Sequence, residues 1–317
     1  MIVDLPDTNV SKISRALVSV REEGGVVALG RVLTLMIATR QGREEAVIEA
    51  ANDASREHPM RVIVLMINDD PDAPSRLDAQ IRVGGDAGAS EVIVLNASGA
   101  AASNEESLVT GLLLPDAPVV VWWPDHPPTT PSTSPLGKIA QRRITDASTR
   151  PYDAHRLSDL GEHHAPGDTD LAWTRLTHWR EQLAAVLDQP PYEAVTGVSV
   201  SGASTSPSTA LLAAWLRLML DVPVEWEYLP EEEWRDGIRS VRLTRASSDV
   251  VLERSSASIA CLHQGGQPDH DLVLPRRTLR ECLAEELRRL DPDVLYGRVI
   301  TEGWELLGPP LSRESDG

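Results

Sequence analysis

Phenylalanine is absent from the 317 residues, and lysine occurs only at positions 12 and 138. Eight tryptophans and the leucines therefore have to fill the large core volumes, while arginine carries nearly all of the positive charge. Cysteine is almost as scarce. Cys261 and Cys282 form no CxxC pair, which excludes a disulfide framework and makes a cytoplasmic location the expectation. Long apolar runs are missing too: the most hydrophobic stretches, 61–67 and 119–123, fall far short of the roughly 20 residues of a membrane helix. The residues after Met1 have neither a basic start nor an apolar core, so no secretory signal is expected. Positive charge is outnumbered, with 48 Asp plus Glu against 30 Lys plus Arg and a formal net charge of −18. A field of that sign repels nucleic acid and anionic membrane surfaces, so neither is an expected partner.

What is present has ordinary globular proportions, 41% hydrophobic and 25% charged, and a length that suits two domains. Val10, Ile13, Leu17 and Val20 recur at helical spacing, as do the alanines of 46–54. Continuous apolar runs at 32–38 and 60–67 read as strands covered on both faces, whereas 77–83 alternates and has one wet face. Strands at 91–95 and 118–123, with a short helix at 105–114 between them, complete a mixed sheet with flanking helices. A loop at 125–135 holds four prolines, and a second break, GEHHAPGDT (161–169), marks the expected boundary. The expected domains are 1–165 and 166–317.

In the second, Ala172, Leu176, Trp179, Leu183 and Val186 form one helical stripe, and 195–200 is a strand. The segment 207–220 is a helix that is apolar nearly all round, Arg217 being its one charge. Short β-like runs follow at 222–228, 238–245, 250–254, 259–263 and 272–274, before a helix opened by the capping-box pattern Thr278-x-x-Glu281. The second domain is thus also α/β, with an antiparallel portion. No internal repeat is visible.

Motifs that carry chemistry are few. GGDAGAS (84–90) resembles a phosphate loop, but a strand follows it where a dinucleotide site needs a helix, so it reads as a turn. SVSGASTSP (199–207) does join a strand to a helix. Its hydroxyls, Ser201, Ser204, Thr205 and Ser206, are candidates for holding an anion at the helix start, and equally the ordinary residues of a βα turn. His163 and His164 are adjacent and would diverge on a helix, so no metal site is assigned. Neither a nucleophile elbow nor HExxH occurs, so no catalytic residue and no cofactor is assigned. Both cysteines are expected to be buried thiols of low reactivity.

Trp122 and Trp123 end a strand, so one ring should face inward and the other outward. With Arg142 and Arg143, and with Trp173 and Arg175 further on, they are candidates for a partner-binding surface, since Trp and Arg are frequent interface anchors. Core filling by the tryptophans and ion pairing of the arginines within the chain is the alternative.

Several blocks together carry a resemblance. RLDAQIRVGGDAGASEVIVL (76–95), LLLPDAPVVVWWPDHPP (112–128), LGKIAQRRITDA (136–147), DTDLAWTRLTHWREQL (168–183), QPPYEAVTGVSVSG (189–202), SPSTALLAAWL (206–216) and LPRRTLRECLAEELRRLDPD (274–293) follow one another in the order found in one family. The chain resembles the bacterial glucose-6-phosphate dehydrogenase assembly proteins, the OpcA family, over nearly its whole length. His178 stands where members carry Pro. The resemblance implies a non-catalytic assembly or activation partner of glucose-6-phosphate dehydrogenase, the NADP-linked entry to the oxidative pentose phosphate pathway. It supplies no catalytic residues. The alternative is an enzyme or sensor that binds a sugar phosphate at 201–207.

Overall fold

The computed structural model describes residues 1–23, 32–56, 58–68, 70, 72–84, 91–149, 154–190 and 192–311. They form two compact units, each built on a mixed sheet with helices. The first unit contains 1–146, 167–169 and 279–292; the second contains 147–166, 170–278 and 293–317. A single cut at 165/166 would not give these units, because the second begins at 147 and the segments 167–169 and 279–292 join the first.

The first sheet has eight strands: β1 (Ile2–Leu5), β2 (Leu33–Thr39), β3 (Met60–Asn68), β4 (Arg76–Arg82), β5 (Glu91–Ser98), β6 (Val119–Trp123), β7 (Arg142–Thr145) and β8 (Asp168–Asp170). Their order is β1-β4-β5-β3-β2-β6-β7-β8. The inner pairs β5–β3–β2–β6–β7 are parallel, while β1–β4 and β4–β5 are antiparallel. Burial follows the sequence pattern. β2 and β3 are buried along nearly their whole length, and β4 alternates between buried and half-exposed positions, as a strand with one wet face should. The segment 85–90 of GGDAGAS lies outside the described residues; the strands on either side of it pair antiparallel.

The proline-rich segment is more ordered than its composition implies. It turns at Pro131–Thr133 and enters a short helix, Pro135–Ile139, whose Gly137 amide donates to the Ser134 hydroxyl at 3.1 Å. A side chain at Gly137 would strike the Pro131 carbonyl oxygen, so the turn closes only around glycine. Helix Glu44–Ser55 packs against helix Leu279–Arg288, which brings the late segment into the first unit.

The second sheet has six strands: β9 (Gly197–Ala203), β10 (Val224–Leu229), β11 (Ile238–Thr244), β12 (Val250–Arg254), β13 (Ile259–Gln264) and β14 (His270–Val273). Their order is β10-β9-β11-β12-β13-β14, with only β10–β9 parallel. Helix Ser208–Leu220 connects that parallel pair and packs on both of its strands. Residues 208–216 are all buried, which accounts for a helix with scarcely a polar face. The expected single helix around Trp179 is two, Leu171–Thr174 and Thr177–Leu187. Asp170 caps the first of them, its carboxylate accepting from the Ala172 amide at 2.8 Å.

Candidate functional site

The second unit holds a cavity of about 440 Å³. Its floor is built where β9 gives way to helix Ser208–Leu220 through the turn at 204–207. Gly202 is required there: a Cβ would lie 2.3 Å from the Thr209 hydroxyl and 2.7 Å from the Gly237 carbonyl oxygen. That approach sets the turn hydroxyls of Thr205 and Ser206 beside Asp236 and Gly237 in the lining. The Thr205 hydroxyl donates to the Arg235 carbonyl at 3.2 Å, and the Ser206 hydroxyl accepts from the Ser208 amide at 3.3 Å.

Arginines supply the rest of its chemistry. Arg254, the last residue of β12, is only 2% exposed, and its Nη1 donates to the carbonyls of Ala257 (3.0 Å) and Leu274 (2.6 Å). The same guanidinium lies 5.5 Å from the centre of the Trp179 ring. Arg276 pairs with Asp236 at 2.8 Å, and Arg277 donates to the Thr174 carbonyl at 2.8 Å. Arg175 completes a set of four arginines among the described residues of the lining, where Asp236 is the single carboxylate. Burial draws Arg254 below the ordinary guanidinium range, the Arg276 charge adds to that fall, and Asp236 acts against it. His178 also lines the cavity, in the first turn of helix Thr177–Leu187. A proline is tolerated in a first turn, because those amides have no intrahelical acceptor, so backbone geometry does not oppose the family's residue there.

The cavity unites candidates that the sequence kept apart. Arg175 comes from the expected partner surface, and Thr205 and Ser206 from the expected anion site. The other two hydroxyls do not line it. Ser201 is tied across the sheet to Ser240 at 2.9 Å, and Ser204 is exposed elsewhere. Arg254, Arg276, Arg277 and Asp236 were not singled out in the sequence. They lie in different strands and loops, and only the Arg-Arg pair in LPRRT offered a local signal.

The expected anchor surface needs correction. Trp122 (0% exposed) and Trp123 (4%) are both buried, because β6 lies between β2 and β7 and both of its faces are covered. Arg142 and Arg143 are buried as well and bonded within the unit, Arg142 to Glu286 and Arg143 to Asp168. Trp173 is buried, donates its indole N–H to Asp293 at 2.9 Å, and is stacked upon by Arg180 at 3.7 Å. Five of the six residues are thus internal. The core-filling alternative accounts for them, since a chain without phenylalanine uses its indoles as bulk.

Cys282 is buried as expected, but Cys261 on β13 is half-buried. It lies beside His263 and Asp269, with one ligand-type atom of each within 4.8 Å of the others. Burial and the Asp269 and Asp271 carboxylates push its thiol upward, which disfavours thiolate. Among the described residues, no helix is long and apolar enough to cross a membrane.

Two family models match in succession: the glucose-6-phosphate dehydrogenase subunit N-terminal domain over 51–162 and its C-terminal domain over 166–300. A Nostoc punctiforme protein described as an OxPP cycle protein, OpcA, is 28% identical over 182 residues. The match covers 54% of this chain and 38% of that protein, well under half the relative's length. Among solved structures, an oxidoreductase from Sinorhizobium meliloti aligns over 87% of this chain and 96% of its own, with 10% identity and a TM-score of 0.49. At that level the likeness carries no functional inference.

Proposed function

The chain belongs to the glucose-6-phosphate dehydrogenase subunit family by both of its domain models, and we propose on that premise that it is a non-catalytic assembly and activation partner of this dehydrogenase. A role associated with glucose-6-phosphate dehydrogenase, in the pentose phosphate pathway, is the coarser statement that the family supports. The observation that carries it is the succession of the two domain models over 51–162 and 166–300, in the order of the chain.

The arginine-rich lining of the cavity favours binding of an anion. Guanidinium groups stay protonated at neutral pH and cannot serve as general bases. The Thr205 and Ser206 hydroxyls are engaged in local hydrogen bonds with backbone groups. Of the two, the Ser206 hydroxyl, which accepts there, keeps a hydrogen for an anion.

Two measurements test the proposal. The purified chain with glucose 6-phosphate and NADP should form no NADPH. Added to the cognate dehydrogenase, it should shift the oligomer mass in light scattering and change maximal rate or substrate affinity. NADPH formation by the chain alone would make it an enzyme. No complex and no kinetic change over a wide concentration range would remove the partnership.

A further inference from the structure

We propose that the cavity of the second unit is a binding site for a small phosphomonoester, with its phosphate seated between Arg254, Arg276 and the Ser206 hydroxyl. The decisive feature is a buried charge with no ion-pair partner among the described residues. Arg254 is 2% exposed, yet among the described residues it has no carboxylate at ion-pair distance. One of its nitrogens is held by two backbone carbonyls, the guanidinium lies 5.5 Å from the Trp179 ring, and the residue lines the cavity. Burying a guanidinium without a counter-charge is costly, and an anion in the cavity would relieve that cost.

The surroundings set the chemical class. The nearest charges do not meet the demand for an anion: Arg276 repels Arg254, and Asp236, which attracts it, is already paired with Arg276. Arg175 and Arg277 add two further guanidiniums to the lining. A phosphate monoester carries a charge of about −1.5 to −2 and three strong acceptor oxygens. It can thus take forks from several directions, where a carboxylate offers two oxygens and one charge. The Ser206 hydroxyl accepts from the Ser208 amide, so its own hydrogen remains to be donated. The same turn opens helix Ser208–Leu220, whose positive end favours an anion. Trp179 and Ile238 give the cavity an apolar wall for the organic part of the ligand, and its volume lies within the roughly 300–1,000 Å³ of small-molecule sites.

Calorimetric titration of the full chain at constant ionic strength tests this, with inorganic phosphate, glucose 6-phosphate, glucose and an oligoglutamate peptide as probes. Glucose 6-phosphate should bind saturably, one molecule per chain, and glucose should not bind. Equal affinity for inorganic phosphate would assign recognition to the phosphate alone; tighter binding of the sugar phosphate would add contacts to the sugar. Arg254→Gln and Arg276→Gln should each weaken binding about tenfold or more, while Arg82→Gln in the other unit leaves it unchanged. Arg276 is part-exposed, so its variant remains decisive if Arg254→Gln unfolds. The proposal is overturned by no saturable binding of either phosphate compound, by wild-type affinity in Arg276→Gln, or by tighter binding of oligoglutamate than of both. The titration needs no dehydrogenase, so its failure leaves the partnership standing, and a failed complex leaves the anion site standing.

Discussion

The buried arginines of the first unit and Arg254 of the second are held in opposite ways. The first buries Arg61, Arg142 and Arg143, and each is bonded to a carboxylate: Glu91, Glu286 and Asp168 respectively. The second buries Arg245, whose charge acts on the Glu193 carboxylate, but also Arg254, which is held by backbone carbonyls at a cavity. A charge neutralised from within serves the fold, because the attraction of its partner offsets desolvation. A charge left facing a cavity retains its capacity for a ligand. The difference teaches where to look for binding in a chain whose composition is acidic overall.

The largest expected effect comes from breaking a pair in the first unit. Arg142→Met strips a buried carboxylate of the guanidinium it bonds, which should cost about 3–5 kcal/mol of unfolding free energy in urea. The double variant Arg142→Met/Glu286→Met removes both charges and should recover most of that loss. A single variant that costs less than about 1 kcal/mol would put this pair among exposed ones and end the contrast.

Arg254→Met should cost less. It orphans the carbonyls of Ala257 and Leu274, a loss of about 1–2 kcal/mol, and leaves no buried carboxylate behind. A cost as large as that of Arg142→Met would mean that Arg254 is neutralised from within after all.

The smallest effect sharpens the comparison from the surface. Arg82 bonds Glu45, whose side chain is 70% exposed, and that bond lowers the Glu45 carboxyl below its ordinary 4.5. The folded value lies under the unfolded one, so the stabilisation is present above about pH 4.5 and is lost as pH falls through the folded value. Glu45→Gln should therefore cost no more than about 1 kcal/mol at neutral pH, and the difference from wild type should disappear in acid. Melting curves across that range would show it. A gap that persisted in acid would assign the loss to packing.

Much of the architecture was legible in the residues because burial leaves periodic traces. The apolar runs of β2 and β3, the alternation of β4 and the apolar stretch of 210–216 each follow from which faces are covered. β7 and β8 were missed for the converse reason. Arg142, Arg143, Asp168 and Asp170 are polar residues in buried strands, and only their ion pairs and caps make that burial tolerable. Trp122 and Trp123 misled similarly, since adjacency on a strand shows that two rings face opposite ways but not whether both faces are covered.

The sequence by itself determined that the chain is α/β, with a mixed sheet and flanking helices early and an antiparallel portion late, and that it shares ordered blocks with one family. Those features depend on local periodicity and on contiguous motifs. Only the tertiary structure decided the composition of the cavity, which gathers Arg175, Thr205, Asp236, Arg254 and Arg276 from segments far apart in the chain. Whether an arginine is neutralised by a partner or held open for a ligand depends on which side chains meet it in space. For Arg142 the partner lies 144 residues away, a separation that no local pattern encodes.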